Sequence, residues 1–300
     1  MARPGVNVIG NSLAAAVVDS SENRREAKRG TRESPHTPAE PEDIGPPEGI
    51  RTVRTPTPTP TTTEIIGILG GMGPAATADF YAKLVATTPG SSDQDHLRTV
   101  IWSDPTIPDR TEALLGDGPD PTPWLLEGSR VLREAGATVI AIPCNTAHAF
   151  IPRIAGYVGL PIVHMIGEAV RHLTTLSPRI HSVGLLATTG TVRTGLYQEW
   201  LDRFGIRLVL PDGASQDRDV MTAVRAVKAG ARDDATTTLL TRAARRLTEQ
   251  GAQAVIAGCT EIPLGLPVGA VGVPLVDPAL VLAQVLVRRV RTEGGADQGN

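Results

Sequence analysis

Two cysteines, Cys144 and Cys259, stand in similar surroundings, IPCNTAH and AGCTEIPL. Each follows a run of small and β-branched apolar residues, the mark of a strand buried on both faces, and precedes polar residues able to cap or open a helix. Two strand ends therefore present one thiol each. Four readings compete. Buried free cysteine serves as a small hydrophobe. Cys144 and His148 have the i, i+4 spacing of two metal ligands on one helix face, although the second stretch offers no matching histidine. A disulfide belongs to an oxidising compartment. The fourth reading is an acid and base pair: a strand-end cysteine under helix N–H groups is expected to have a depressed pKa. A thiolate and a thiol on opposite sides of a substrate carbon would then take a proton from one face and deliver one to the other. That is stereoinversion, it runs equally well backwards, and the two sulfurs would titrate as a coupled pair.

The elements that must position these thiols repeat as well. Gly67 and Gly184, Cys144 and Cys259, and Pro161 and Pro274 are related by offsets of 117, 115 and 113 residues. Nearly constant offsets predict an α/β fold of two similar three-layer domains with mainly parallel sheets and a pseudo-two-fold relation. Each would place a cysteine at the carboxyl edge of its sheet, where ligands bind in open α/β folds, with the active-site cleft between the domains. The predicted organisation is a disordered Pro/Thr-rich tail over residues 1–63, a first α/β domain over 64–170, and a second over 171–277.

Composition excludes several classes. The 300 residues are 41% hydrophobic, 3% aromatic and carry a formal net charge of −3, so no electrostatic footprint for nucleic acid is present. No segment approaches the roughly 20 apolar residues of a membrane helix. Residues Val6 to Val18 resemble the apolar part of a signal peptide, but Asn7, Asn11 and Ser12 interrupt them and Asp19 closes them without a clear cleavage site. Two cysteines are too few for a disulfide scaffold of this size, and a cytoplasmic, reducing location is expected. The tail ends in TVRTPTPTPTTTE, which offers little to a core.

From Glu64 the chain reads as the strand IIGILG, a turn Gly70-Gly-Met-Gly-Pro, and a helix over 74–87. The turn presents N–H groups to an anion, but its glycines do not follow the dinucleotide pattern G-x-G-x-x-G. A strand over 97–104 leads to a loop carrying Arg110, placed to fork a carboxylate or else to pair with Asp109 or Glu112 at the surface. A helix over 124–135 precedes the first cysteine strand, and one over 167–176 ends the first half. In the second half Thr188, Thr189 and Thr191 sit where the first has glycines, able to hold a carboxylate or to cap the helix beginning near Thr194. A strand IRLVLP and helices over 217–230 and 236–250 follow. Lys228, ending the first of these helices, also suits the helix dipole. The last helix spans 278–290.

GGMGPAAT, IPDRT, IPCNTAH, ATTGTVRTGLYQ and AGCTEIPL, in that order, resemble the aspartate/glutamate racemase family, and most closely its aspartate racemase branch. The resemblance spans about Ile65 to Val290. It implies a cofactor-independent amino-acid racemase without pyridoxal phosphate or metal, acting on a small amino acid of acidic type, and a homodimer. It also implies that the last helix, over 278–292, packs back on the first domain. At matching positions Cys144 and Cys259 would be proton donor and acceptor. Asn145, Thr146 and Thr260 would hold the α-carboxylate, with Met72 at the substrate in the glycine turn; Thr188, from its place in the hydroxyl-rich turn, joins them as a substrate-binding candidate. Arg110 and Lys228 would face the side-chain carboxylate, and Glu261 would bind the α-amino group or orient the cysteine. Relatives using one such cleft for maleate isomerisation, hydantoin racemisation or malonate decarboxylation are the alternative chemistries. A non-catalytic amino-acid binder is the alternative of another class.

Overall fold

The structure, a computed structural model, describes residues 64–296; the expected tail and the signal-like segment lie outside them. Two four-stranded sheets, parallel throughout, carry the fold. The first takes β1 (Ile66–Gly70), β2 (Thr99–Ser103), β3 (Val139–Ala141) and β4 (Ile162–Val163) in the order β2-β1-β3-β4. Its helices are α1 (Pro74–Thr87), α2 (Arg110–Leu115), α3 (Thr122–Glu134), α4 (Ile151–Val158) and α5 (Met165–Leu173).

The second sheet repeats that order as β6-β5-β7-β8, with β5 (Ser182–Ala187), β6 (Arg207–Val209), β7 (Ala254–Gly258) and β8 (Leu275–Val276). Its hydroxyl-rich turn opens two short helices, α6 (Thr189–Arg193) and α7 (Leu196–Asp202), in place of the single predicted one. Gly195, at φ 65°, interrupts them, a conformation open to glycine. Helix α8 (Gly213–Ser215) runs through a π-helical stretch, Gln216–Met221, into α9 (Thr222–Lys228), and α10 (Asp234–Glu249) covers the sheet. After β7 come α11 (Ile262–Gly265) and finally α12 (Pro278–Ala296).

The repeat extends to packing. Gly67 pairs with Ile140 and Gly184 with Val255. A Cβ on Gly67 would lie 2.9 Å from Cβ of Ala137 and 3.3 Å from Cβ of Leu132, and one on Gly184 would lie 2.8 Å from Cβ of Leu247 and 3.3 Å from Cβ of Ala252. In both halves, therefore, the same glycine lets the end of the helix that leads into the cysteine strand, α3 or α10, lie directly on the neighbouring strand, β1 or β5. The central strands β1, β3, β5 and β7 are wholly buried, as the continuous apolar runs require.

Helix α12 crosses back to the first half. Ala279, Leu282, Ala283, Leu286, Val287 and Val290 share a core with Ile66, Ile68, Phe80, Leu84, Val139 and Met165, and Arg289 pairs with Glu64 at 3.0 Å. The loop expected around Arg110 is instead the helix α2. Asp109 caps it, accepting from the N–H of Thr111 at 2.7 Å and of Glu112 at 3.1 Å, as Asp does at a helix start.

Candidate active site

Both cysteines sit just past the carboxyl ends of central strands. Ladder β3 stops at Ala141 because Pro143 has no N–H to give, and Cys144 follows at the entrance to a 3-10 turn over Thr146–Phe150. Cys259 follows β7 directly. The two thiols are free and buried, and both line one cavity together with Met72, Arg110, Asn145, Thr146, Thr188, Lys228, Thr260 and Glu261. All ten residues assigned to a site from the sequence thus meet in one place, joined by Asp109 and Thr111. The space enclosed is about 10 Å³, enough for a single water.

The two thiols have unequal surroundings. Cys259 Sγ donates to Glu261 Oε2 at 2.9 Å, and Thr260 Oγ1 reaches the same oxygen at 3.4 Å. Burial and the adjacent Glu261 carboxylate push the Cys259 thiol well above its ordinary value, against the pull of Lys228. The depressed pKa expected for a strand-end cysteine therefore does not hold at Cys259, where desolvation and a neighbouring negative charge outweigh the helix N–H groups. Burial disfavours the Lys228 ammonium, yet Cys259, Glu261 and Asp109 keep its pKa above the usual lysine value.

Arg110 is 6% exposed, not a surface residue paired with Asp109 or Glu112. Its Nη1 donates to the carbonyls of Ile107 at 3.1 Å and Pro108 at 2.9 Å, and its Nη2 to that of Met72 at 2.8 Å. These bonds fix the guanidinium against the glycine turn and leave Nε without a partner. Asn145 is fixed in the same manner. Its Oδ1 accepts from the Tyr197 hydroxyl at 2.6 Å, while its Nδ2 has no partner. Buried donors are normally satisfied, and these two orphaned N–H groups belong to residues that line one cavity.

The glycine turn itself is less open to an anion than expected. Gly71 has φ 92°, and a Cβ there would meet the Asp104 backbone at 2.3 Å. Its N–H, however, donates to Thr77 Oγ1 at 2.9 Å, so a side chain of α1 fills the place foreseen for a ligand. Across the cleft, Thr188 both caps α6, accepting from Thr191 N–H at 3.3 Å, and joins a closed ring of hydroxyls. Thr146, Thr188 and Thr191 lie 2.9 to 3.1 Å from one another. This ring and the Tyr197–Asn145 bond tie the two halves together on one side of the cavity. Gly190 completes that seam, since a Cβ there would lie 3.0 Å from Cα of Thr111.

Lys228 Nζ stands 3.8 Å from Asp109 Oδ2, with both side chains about a third exposed. Met72, Asp109, Arg110, Lys228 and Glu261 also line an outer vestibule of about 330 Å³. The metal reading fails on His148. Its Nδ1 donates to the Cys144 carbonyl at 2.8 Å and its Nε2 accepts from Met165 N–H at 3.0 Å. Burial drives its pKa down to about 3, and it is a neutral strut between β3 and α5. Among the described residues no three His, Cys, Asp or Glu side chains gather as a metal would need.

Sequence reasoning missed Tyr197 altogether and gave Asp109 no place in the site beyond a surface pairing with Arg110. Tyr197 carried one usable signal, since a tyrosine on an amphipathic helix that becomes buried must find a partner for its hydroxyl.

A family model described as Asp/Glu/hydantoin racemase matches residues 69–286. The chain is 31% identical to an aspartate racemase of Picrophilus torridus, with a TM-score of 0.69 over 76% of this chain and 94% of that one. It is 27% identical over 227 residues to the broad specificity amino-acid racemase RacX of Bacillus subtilis, covering 74% of this chain and 96% of that protein. Glutamate racemase from Francisella tularensis, solved with D-glutamate, shares the fold at 18% identity and a TM-score of 0.57, covering 78% of this chain and 82% of that one. No helix among the described residues is long and apolar enough to cross a membrane. Two repeated parallel-sheet halves with both thiols lining a common cavity are thus accompanied by a sequence match spanning that fold, and the chain belongs to the Asp/Glu/hydantoin racemase family, as an isomerase of amino acids.

Proposed function

We propose that the protein interconverts the enantiomers of aspartate, or of a closely related acidic amino acid, with Cys144 and Cys259 as the acid and base. The observation that carries this reading is the pair of orphaned buried donors, Arg110 Nε and Asn145 Nδ2, on the cavity both thiols line. A dicarboxylic amino acid offers an acceptor to each. Asn145, Thr146 and Thr260 take the α-carboxylate; Arg110 and Lys228 take the side-chain carboxylate; Glu261 orients Cys259 and has charge to spare for the α-ammonium.

In one direction the Cys144 thiolate takes the α-proton, the electron pair of the broken C–H bond spreads onto the α-carboxylate, and the Cys259 thiol returns a proton to the opposite face. The thiols have then exchanged states, and the reverse reaction starts from that exchanged form. Preorganised donors on the carboxylate stabilise the developing charge, which is usually the greatest single source of rate enhancement in a site of this kind. The free space between the thiols is about 10 Å³, and in this reading the side chains around it give way as the amino acid enters. The Asp109–Lys228 pair, about a third exposed, adds little to holding the halves together, because an exposed ion pair contributes at most about 1 kcal/mol.

The test is proton NMR of L-aspartate with the protein in D2O, with chiral chromatography of the same samples. Loss of the α-proton together with formation of D-aspartate is expected, and Cys144→Ala and Cys259→Ala should each abolish turnover. A Cys144→Ala protein that binds aspartate normally, from a wild type that never exchanges the α-proton, would instead make this a binding protein. A homodimer and a cytoplasmic location accompany the proposal and are checked by light scattering and by fractionation.

A further inference from the structure

Three hydroxyls close a ring where the two halves meet. Thr146 Oγ1 lies 2.9 Å from Thr188 Oγ1 and 3.0 Å from Thr191 Oγ1, and the last two are 3.1 Å apart. Thr146 and Thr188 line the cavity together with the thiols; Thr191 does not, and it is wholly buried. A threonine hydroxyl has one hydrogen to give and two lone pairs with which to accept. Closed on itself, the ring uses every hydroxyl hydrogen internally and turns only lone pairs toward the cavity, which a carboxylate would be repelled by. A second arrangement of the same oxygens removes that conflict. When Thr146 turns its hydrogen into the cavity, its two lone pairs can accept from Thr188 and Thr191 at once, at the two shorter distances. The hydrogen bond given up is the longest of the three, between Thr188 and Thr191, and Thr188 Oγ1 keeps the N–H of Thr191 as a donor at 3.3 Å.

Resting on the racemase reading above, we infer that Thr191 is a positioning residue for the reaction: its hydroxyl never meets the substrate, but donates to Thr146 Oγ1 and so holds the Thr146 hydrogen on the α-carboxylate. The ring is then a switch with two settings, closed when the cavity is empty and opened into a branched donor when a carboxylate arrives. Hydrogen bonds in a chain polarise one another, so a hydroxyl that accepts two is a stronger donor than one that accepts none. The α-carboxylate takes on further negative charge as the C–H bond breaks. Support for its donor therefore counts most in the transition state, where it raises kcat more than it tightens binding. Thr146 belongs to the first half, and Thr188 and Thr191 to the second, so this donor is assembled from both.

The experiment measures steady-state racemisation by chiral chromatography, using whichever amino acid the wild type exchanges fastest, for wild type, Thr191→Val, Thr191→Ser, Thr146→Val and the Thr146→Val, Thr191→Val double variant. Losing a donor in direct contact with the developing charge costs about 10²- to 10³-fold in kcat, the loss expected of Thr146→Val. Thr191→Val acts at one remove and should lower kcat about tenfold, with KM changed by less than about threefold. Thr191→Ser keeps the hydroxyl and should bring kcat back to within about threefold of wild type. On the Thr146→Val background the Thr191→Val change should cost about twofold or less, because two residues acting through one hydrogen bond are not additive. Thr191→Ala, also without a hydroxyl, takes the place of the valine variant if that protein does not fold. An unchanged kcat without the Thr191 hydroxyl overturns the inference and leaves the racemase reading standing. So does a serine variant as slow as the valine one, or an undiminished loss on the Thr146→Val background. A folded, reduced wild type that exchanges no amino acid overturns the racemase reading itself, and the inference with it.

Discussion

The Glu261 carboxylate accepts a hydrogen bond of 2.9 Å from the Cys259 thiol, and that bond has two measurable effects. Because burial and Glu261 raise the Cys259 pKa, the folded state holds this proton where the unfolded chain, with an ordinary thiol near 8.5, gives it up. The stabilising contribution is therefore complete below about pH 8.5 and is lost as pH rises toward the folded value. Urea midpoints at pH 7 and pH 10 should fall more for wild type than for Cys259→Ala. In catalysis, Glu261→Gln removes the charge that raises the thiol, so the alkaline limb of the pH–rate profile should move to lower pH. Its kcat should also drop about 10- to 100-fold, read by chiral chromatography. These contacts were partly legible in the sequence: PCNT and GCTE each put hydroxyl or amide groups beside a thiol, and chain neighbours remain neighbours in space. The roles of Tyr197 and Asp109 were not, because each acquires its role only when the two halves meet. His148 was legible as a polar side chain one helical turn from Cys144, but spacing alone does not distinguish a metal ligand from a strut.

The elements explain where reading by pattern stopped. The apolar runs and the Pro-led α1 announce themselves locally, whereas α2 is six residues long and depends on the Asp109 cap and on Arg110 being drawn inward by the Met72 carbonyl. The boundary between α6 and α7 rests on the conformation of one glycine. The seam between α6, α7 and the 3-10 turn makes a further prediction. Tyr197→Phe deletes the donor to Asn145 and leaves a buried acceptor unsatisfied, costing about 1–3 kcal/mol. It also frees Asn145 to rotate, so kcat should fall about tenfold or more while the secondary structure, followed by circular dichroism, is retained. His148, joining β3 to α5, gives these elements an acid limit. Its folded pKa of about 3 lies below the unfolded value near 6.5, so its stabilising contribution is present above about pH 6.5. That contribution is lost at about 1.4 kcal/mol per pH unit as pH falls toward 3. Urea titrations of wild type between pH 7 and 4.5, set against His148→Gln, should show the variant's stability depending less on pH.

For the whole molecule the repeat is the organising fact, and it was readable because offsets near 115 residues recur in order. The equivalence of Gly67 and Gly184 extends it from topology to atoms. Gly67→Ala and Gly184→Ala should each destabilise by about 1–3 kcal/mol through overpacking, with similar losses in thermal midpoint, since the contacts they would violate are alike. Helix α12 breaks this equivalence, for the second half lends its final helix to the first. Ending the chain before Pro278 should leave the first half without six apolar residues of its core, and such a protein should be insoluble, not merely inactive. Synthesis meets the same condition on every molecule made. At about 5–20 residues per second, roughly 10–40 s separate the emergence of α1 from that of α12, and throughout that interval Ile66, Phe80 and Leu84 have no covering helix. The first half is thus made first and completed last, and the newborn chain depends on whatever shields an exposed apolar sheet until its final helix arrives.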